Sequence, residues 1–232
     1  MLTALVCVFS LIACNTGNTT NNNNNNDNNQ NNNNQNNNNQ VEIGNPLEEV
    51  VAASSPTEVV TQVTYSYPSS EKLSEFNGKL NGFYMLRIDD SDSIFDYEYR
   101  TLATPEEMIP DGVKLVKGTL YCKDGKTSVD GDSWSVITAD TVNAQFTLVK
   151  GYFKTYEKSE DEKTLTATIT GENIANIIGH ELSANGDINF VLKTNGIYLT
   201  GIEINYKSLS GADVFINTSY TYNDIELEFP AE

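Results

Sequence analysis

The side chains able to do chemistry are few, and their spacing limits the chemistry further. His180 is the only imidazole, in Gly179-His180-Glu181, directly after an expected helix stop. No His/Cys group at metal-ligand spacing accompanies it, so hydrolytic metal chemistry has no donor set and His180 reads as a solvated loop residue. Cys122 falls on an expected strand, where a lone cysteine is ordinarily a small buried apolar residue. It is the one thiol beyond Cys7 and Cys14, so an intramolecular staple is not expected in a chain that has lost its first residues. No catalytic residue is assigned, and the chain is expected not to be an enzyme. Acidic turns are more numerous: Asp89, Asp90 and Asp92 in one, Asp130 and Asp132 in another. Carboxylates in turns suit a hard cation such as Ca²⁺, although neither run has the Gly and terminal Glu of an EF-hand loop. In a chain this acidic they are weak calcium candidates, and no other metal or cofactor is indicated. The remaining handle is aromatic. All 12 Tyr lie between Tyr65 and Tyr222. Tyr84, Tyr97, Tyr99, Trp134, Tyr152, Tyr156, Tyr220 and Tyr222 are core if they face inward and a ligand or partner surface if they face outward.

The most specific chemistry is at the start. MLTALVCVFSLIA is apolar, too short to span a bilayer as a helix, and suited to a signal-peptide core. It ends in Leu11-Ile12-Ala13-Cys14, which resembles the bacterial lipobox: an aliphatic residue three before the cysteine and a small one directly before it. The resemblance implies that the Cys14 thiol takes a diacylglycerol, that the leader 1–13 is cut off, and that the new amino terminus is acylated. Two or three acyl chains (palmitate, for example) hold a protein on a membrane firmly, where one is marginal. The expected location is the bacterial cell envelope, in the outer membrane or at the cell surface. A leader of this kind normally opens with Lys or Arg, and the first basic residue here is Lys72. An upstream start codon would supply the missing charge.

Composition divides the rest of the chain into segments. Residues 15–40 hold 18 Asn and 3 Gln among 26 positions, which cannot bury a core. With the lipidated Cys14 they form an expected disordered tether, 14–40, spanning about 30 Å end to end. Residues 41–69 carry Glu42, Glu48, Glu49 and Glu58 with Pro46, Pro56 and Pro68, and no basic residue. They read as an acidic linker or stalk. Within it Glu58 to Tyr67 has strand composition and would make an added edge strand. The formal charge of −18 excludes a nucleic-acid partner, since phosphate recognition needs a basic surface. Residues 71–232 carry 27 acids and 14 bases, a net of −13, which repels anionic headgroups in the direction the tether already leads.

The elements that must position the aromatic residues are strands. In the expected domain, 70–232, apolar residues alternate with polar ones: Leu165, Ala167 and Ile169 against Thr164, Thr166, Thr168 and Thr170. Further runs are 83–89, 94–101, 113–122, 133–138, 144–156, 188–192, 202–206, 214–222 and 225–229. Asn195-Gly196 is the strongest hairpin signal, with Asp124-Gly125 and Asp130-Gly131 as weaker ones. Short helices are expected after Ser70 and over Glu172 to Ile178. About 8–10 antiparallel strands with one or two short helices predict an all-β barrel or sandwich.

The start of that domain, a short helix followed by Gly82-Phe83-Tyr84, resembles the lipocalin-type opening Gly-x-Trp, with Tyr in place of Trp. The resemblance covers about a fifth of the chain and implies an up-and-down barrel with an internal cavity. Two functions are therefore expected. In one, a lipid-anchored envelope protein holds a small apolar ligand in a barrel cavity. In the other, an adhesin or assembly protein meets an envelope or host protein, or a glycan, through an aromatic-rich face.

Overall fold

The computed structural model describes residues 47–131, 133–136, 148–178 and 182–230. Its strands are β1 (Glu58–Ser66), β2 (Asn81–Asp89), β3 (Asp92–Leu102), β4 (Val113–Lys123), β5 (Lys126–Val129), β6 (Trp134–Val136), β7 (Phe153–Lys158), β8 (Thr164–Ile169), β9 (Ile188–Thr194), β10 (Leu199–Lys207) and β11 (Asp213–Thr221). Two short helices, α1 (Leu47–Ala53) and α2 (Ala175–Ile178), complete the regular structure with three 3₁₀ turns. All eleven strands form one antiparallel sheet in the order β6-β5-β4-β3-β2-β1-β11-β10-β9-β8-β7. The fold is therefore all-β. It consists of two meanders, β1–β6 and β7–β11, which meet where β1 pairs with β11 from Glu58↔Thr221 to Ser66↔Asp213. The sheet is not closed: β6 and β7 are its two edges, so there is no sealed barrel among the described residues.

Alternation decides which side of this sheet is core. Leu165, Ala167 and Ile169 on β8, Ile188, Phe190 and Leu192 on β9, Ile202 and Ile204 on β10, and Val214 and Ile216 on β11 are buried. Through the pairing register they share one face, here the inner face, with Val63 of β1 and Tyr84 of β2. Leu47 and Val51 of α1, with Leu148, Ile174, Ile177 and Leu182, join the same cluster and roof the sheet over its β7–β11 half. On the outer face Thr, Asn, Lys and Glu alternate with these residues, as period two requires.

The outer face has one covered corner. Residues after β11 run extended and unpaired, with Ile225, Leu227 and Phe229 half-buried and Glu226 and Glu228 exposed. Phe229 lies 6.2 Å from the ring of Tyr121 and 6.5 Å from Trp134, with the Lys123 ammonium 5.4 Å above it. Pro230 closes the contact against Gly131, whose added Cβ would sit 2.6 Å from the proline ring. The alternating run 225–229 is thus a strap across the far end of the sheet rather than a twelfth strand.

Several expectations change. Glu58–Ser66 is neither linker nor edge: β1 is hydrogen-bonded on both sides, to β2 and β11. Its three flanking prolines lie outside it. The helix expected after Ser70 is a 3₁₀ turn, Ser74–Phe76, and the one over Glu172 to Ile178 is reduced to α2. Asn195-Gly196 sits in a four-residue loop, where Asn195 Oδ1 accepts from the Ile197 and Tyr198 amides. Two-residue turns are at Asp90-Ser91, between the paired Asp89 and Asp92, and at Asp124-Gly125, with φ of 50° and 73° between the paired Lys123 and Lys126.

Candidate functional site

Three alternating residues of β3, Phe95, Tyr97 and Tyr99, project from the inner face, half-buried and packed against the core cluster. Tyr84 on β2 is paired with Tyr97 and packs diagonally on its neighbours, 6.3 Å from Phe95 and 6.4 Å from Tyr99. Phe95–Tyr97 at 5.8 Å and Tyr97–Tyr99 at 6.4 Å close a four-ring cluster. Two glycines let the rings lie low. A Cβ on Gly82 would come within 2.6 Å of the Tyr84 ring, and one on Gly118, opposite Tyr97, within 2.5 Å of the Tyr97 hydroxyl. Gly118 beneath an aromatic ring is the cross-strand arrangement in which a flat side chain supplies the packing that a glycine lacks.

Beside the rings, Val116 and Leu120 of β4 and Val129 of β5 form the other wall of an open groove of about 290 Å³. Leu120 is 37% and Val129 59% exposed, so this wall faces solvent. Among the described residues, no Asp, Glu, Lys or Arg lines the groove. Burial pushes the Tyr84 phenol above the ordinary tyrosine range, with Tyr65 and Tyr99 adding to the effect. The groove's lining is apolar, with phenolic hydroxyls as its polar groups.

Of the eight aromatic candidates, Tyr84, Tyr97 and Tyr99 converge here. Trp134 is on the outer face, under the C-terminal strap. Tyr156 packs on Phe153 at the opposite sheet edge, 6.3 Å between rings, with Tyr152 in the preceding turn. Tyr220 lies half-buried on the inner face of β11. Tyr222 stacks on Tyr198 at 4.4 Å and donates to the Leu199 carbonyl, tying the β9–β10 loop to the end of β11. Phe95, Val116, Leu120 and Val129 were not among the candidates. Phe95 was reachable through the spacing 95-97-99, whereas the aliphatic wall carries no local signal of its face.

The remaining candidates gain no chemistry. His180, Asp132 and Cys14 with its preceding Leu11, Ile12 and Ala13 lie outside the described residues. Among the calcium candidates, Asp92 accepts from the Asp124 amide and Asp130 from the Thr119 amide, while Asp89 and Asp90 close the β2–β3 turn. No group of three or more His, Cys, Asp or Glu side chains converges among the described residues. Cys122 is buried and disulfide-bonded in the full chain, whereas the unstapled Cys122 was expected of a chain without its leader. Its partner lies outside the described residues. No helix among them is long and apolar enough to cross a membrane.

No protein-family model matches the chain, and no curated protein is similar to it in sequence. Among solved structures, a hypothetical protein of Chlamydia trachomatis aligns over 80% of this chain and 98% of its own at 8% identity, with a TM-score of 0.31. A superposition that loose assigns neither fold nor function.

Proposed function

We propose that this chain is a lipid-anchored bacterial envelope protein whose β domain binds a small apolar ligand without transforming it. The anchor rests on the Leu11-Ile12-Ala13-Cys14 lipobox and the Asn-rich tether behind it. The single observation that carries the binding reading is the uncharged groove between Tyr84, Phe95, Tyr97 and Tyr99 on one side and Val116, Leu120 and Val129 on the other. In this reading the cavity is an open cleft on the inner face of a sheet that is unclosed among the described residues. At about 290 Å³ it takes one ring system or a short acyl segment. Burying six methylene groups at about 0.8 kcal/mol each contributes about 5 kcal/mol, against which the entropy cost of association stands.

The test uses the full chain in detergent with 1-aminoanthracene as a fluorescent probe and dodecanoic acid as competitor. Probe fluorescence rises on binding, dodecanoic acid reverses it, and Tyr97→Lys, which places a charge in the groove, removes it. An unchanged signal in Tyr97→Lys, or no signal in the parent chain, overturns the reading.

A further inference from the structure

The outer face of the sheet, opposite the core, carries a row of side chains that neither the fold nor the aromatic groove uses. Asn189 of β9, Asn205 of β10, Phe215 of β11, Thr64 of β1 and Asn81 of β2 are consecutive cross-strand partners. They cross four strand spacings, about 19 Å. Two depressions flank Thr64: one of about 320 Å³ bounded by Asn189, Asn205 and Phe215, the other of about 210 Å³ bounded by Gln62, Asn81 and Phe83. Each holds one phenyl ring, and Phe83 and Phe215 are both 38% exposed.

Around the two depressions the charge cancels. Lys207 pairs with Asp213 at 3.2 Å and Lys154 with Asp187 at 2.7 Å. Arg100 donates to Asn81 Oδ1 at 3.1 Å and lies 3.7 Å from Glu98. In a chain of formal charge −18, the acidic excess is therefore elsewhere. The side chains of Gln62, Thr64, Asn189 and Asn205 make no hydrogen bond to other described residues, so their donors and acceptors face solvent.

We infer that this row is a binding site for a neutral oligosaccharide chain. A sugar ring offers an apolar C–H face, which stacks on a phenyl ring, and a rim of hydroxyls that both donate and accept. Amide side chains match that rim because each carries both functions. An extended peptide is a poorer match. It would draw its main-chain hydrogen bonds from a strand edge, and the strands carrying this row, β9, β10, β11, β1 and β2, are paired on both sides. A polyanion is repelled by the net charge. The length of the row and its paired depressions fit several linked rings, with one stacking position on either side of Thr64.

The test is affinity electrophoresis and calorimetry of the full chain in detergent against cellohexaose, chitohexaose, maltohexaose and yeast mannan, with polygalacturonate as the anionic control. At least one neutral glycan binds, with an affinity that changes little with salt. Phe83→Ala and Phe215→Ala each weaken binding about tenfold, and the double variant abolishes it. Asn189→Ala combined with Asn205→Ala weakens it severalfold. Tyr97→Ala leaves glycan binding unchanged, which separates this site from the apolar groove on the other face. Circular dichroism confirms that the exposed phenylalanine variants remain folded. Failure of every neutral glycan, binding to polygalacturonate alone, or undiminished binding in the double variant overturns the inference.

Discussion

Thr61 of β1 and Thr218 of β11 face each other inside the core, their hydroxyl oxygens 2.9 Å apart. Both are buried, at 0% and 4% exposure, and they sit where the first meander meets the second. A buried hydroxyl costs stability when its partner is removed, whereas loss of both hydroxyls together leaves a shape-matched apolar contact. Thr61→Val or Thr218→Val alone is expected to destabilise the domain by about 1–3 kcal/mol. The double variant recovers most of that loss. Urea unfolding of the four proteins measures the coupling, and strictly additive effects would show that the hydroxyls do not depend on one another.

The Gly118–Tyr97 pair gives a prediction about the groove rather than the core. Gly118 has no left-handed backbone requirement, so a side chain fits its conformation, but a Cβ there meets the Tyr97 hydroxyl at 2.5 Å and Cζ at 2.8 Å. In Gly118→Val the ring must lift into the groove. We expect 1-aminoanthracene affinity to fall at least tenfold. Stability should change by less than about 1 kcal/mol, because valine is also a better strand residue than glycine. Full retention of probe binding would show that the low ring position does not shape the site.

How much of the fold and the groove is legible in the sequence depends on the range of the interaction involved. Strands such as Leu165-Ala167-Ile169 announce themselves because period two is a local property. The central position of β1 was not legible: the partner of Glu58 is Thr221, and no local feature of 58–66 records that pairing. The prolines and acids around it made it read as a stalk. β4 was ambiguous for another reason. Its sequence VKLVKGTLYCK puts apolar residues on both faces, Val116 and Leu120 toward the groove, Leu115 and Tyr121 away from it. Face assignment there needs the register. Likewise, the alternation of Ile225, Leu227 and Phe229 correctly marked a half-buried extended segment, but alternation does not specify a hydrogen-bonding neighbour.

Buried phenols predict the alkaline limit of the fold. Burial raises the Tyr206 pKa from 10.0 to about 12, and burial likewise raises Tyr65, Tyr84 and Tyr220 above the ordinary range. A raised phenol pKa means that the folded state keeps a proton that the unfolded chain loses. The contribution to stability is thus fully present below pH 10 and is lost as pH climbs toward 12 and beyond. Absorbance at 295 nm should show Tyr65, Tyr84, Tyr206 and Tyr220 ionising above the ordinary tyrosine range, together with loss of β-sheet circular dichroism. A single smooth titration of all tyrosines in a still-folded protein would contradict this placement.

The anchor reading and the state of Cys122 test each other. A Cys14 sulfur joined to diacylglycerol through a thioether cannot also form a disulfide, and Cys7 belongs to the leader that lipoprotein processing removes. A processed lipoprotein monomer therefore has no cysteine left to pair with Cys122, although Cys122 is disulfide-bonded in the full chain. We expect the membrane-extracted protein, unfolded without reductant and treated with iodoacetamide, to be alkylated once, at Cys122. Its amino-terminal peptide should carry the acyl mass on Cys14. Cys14→Ala should abolish fatty-acid labelling and release the protein from membranes. The opposite result, a Cys122 peptide crosslinked to Cys7 or Cys14 in the membrane-extracted protein, would mean that the leader is retained or the Cys14 thiol is unmodified, and the lipoprotein reading would fall with it.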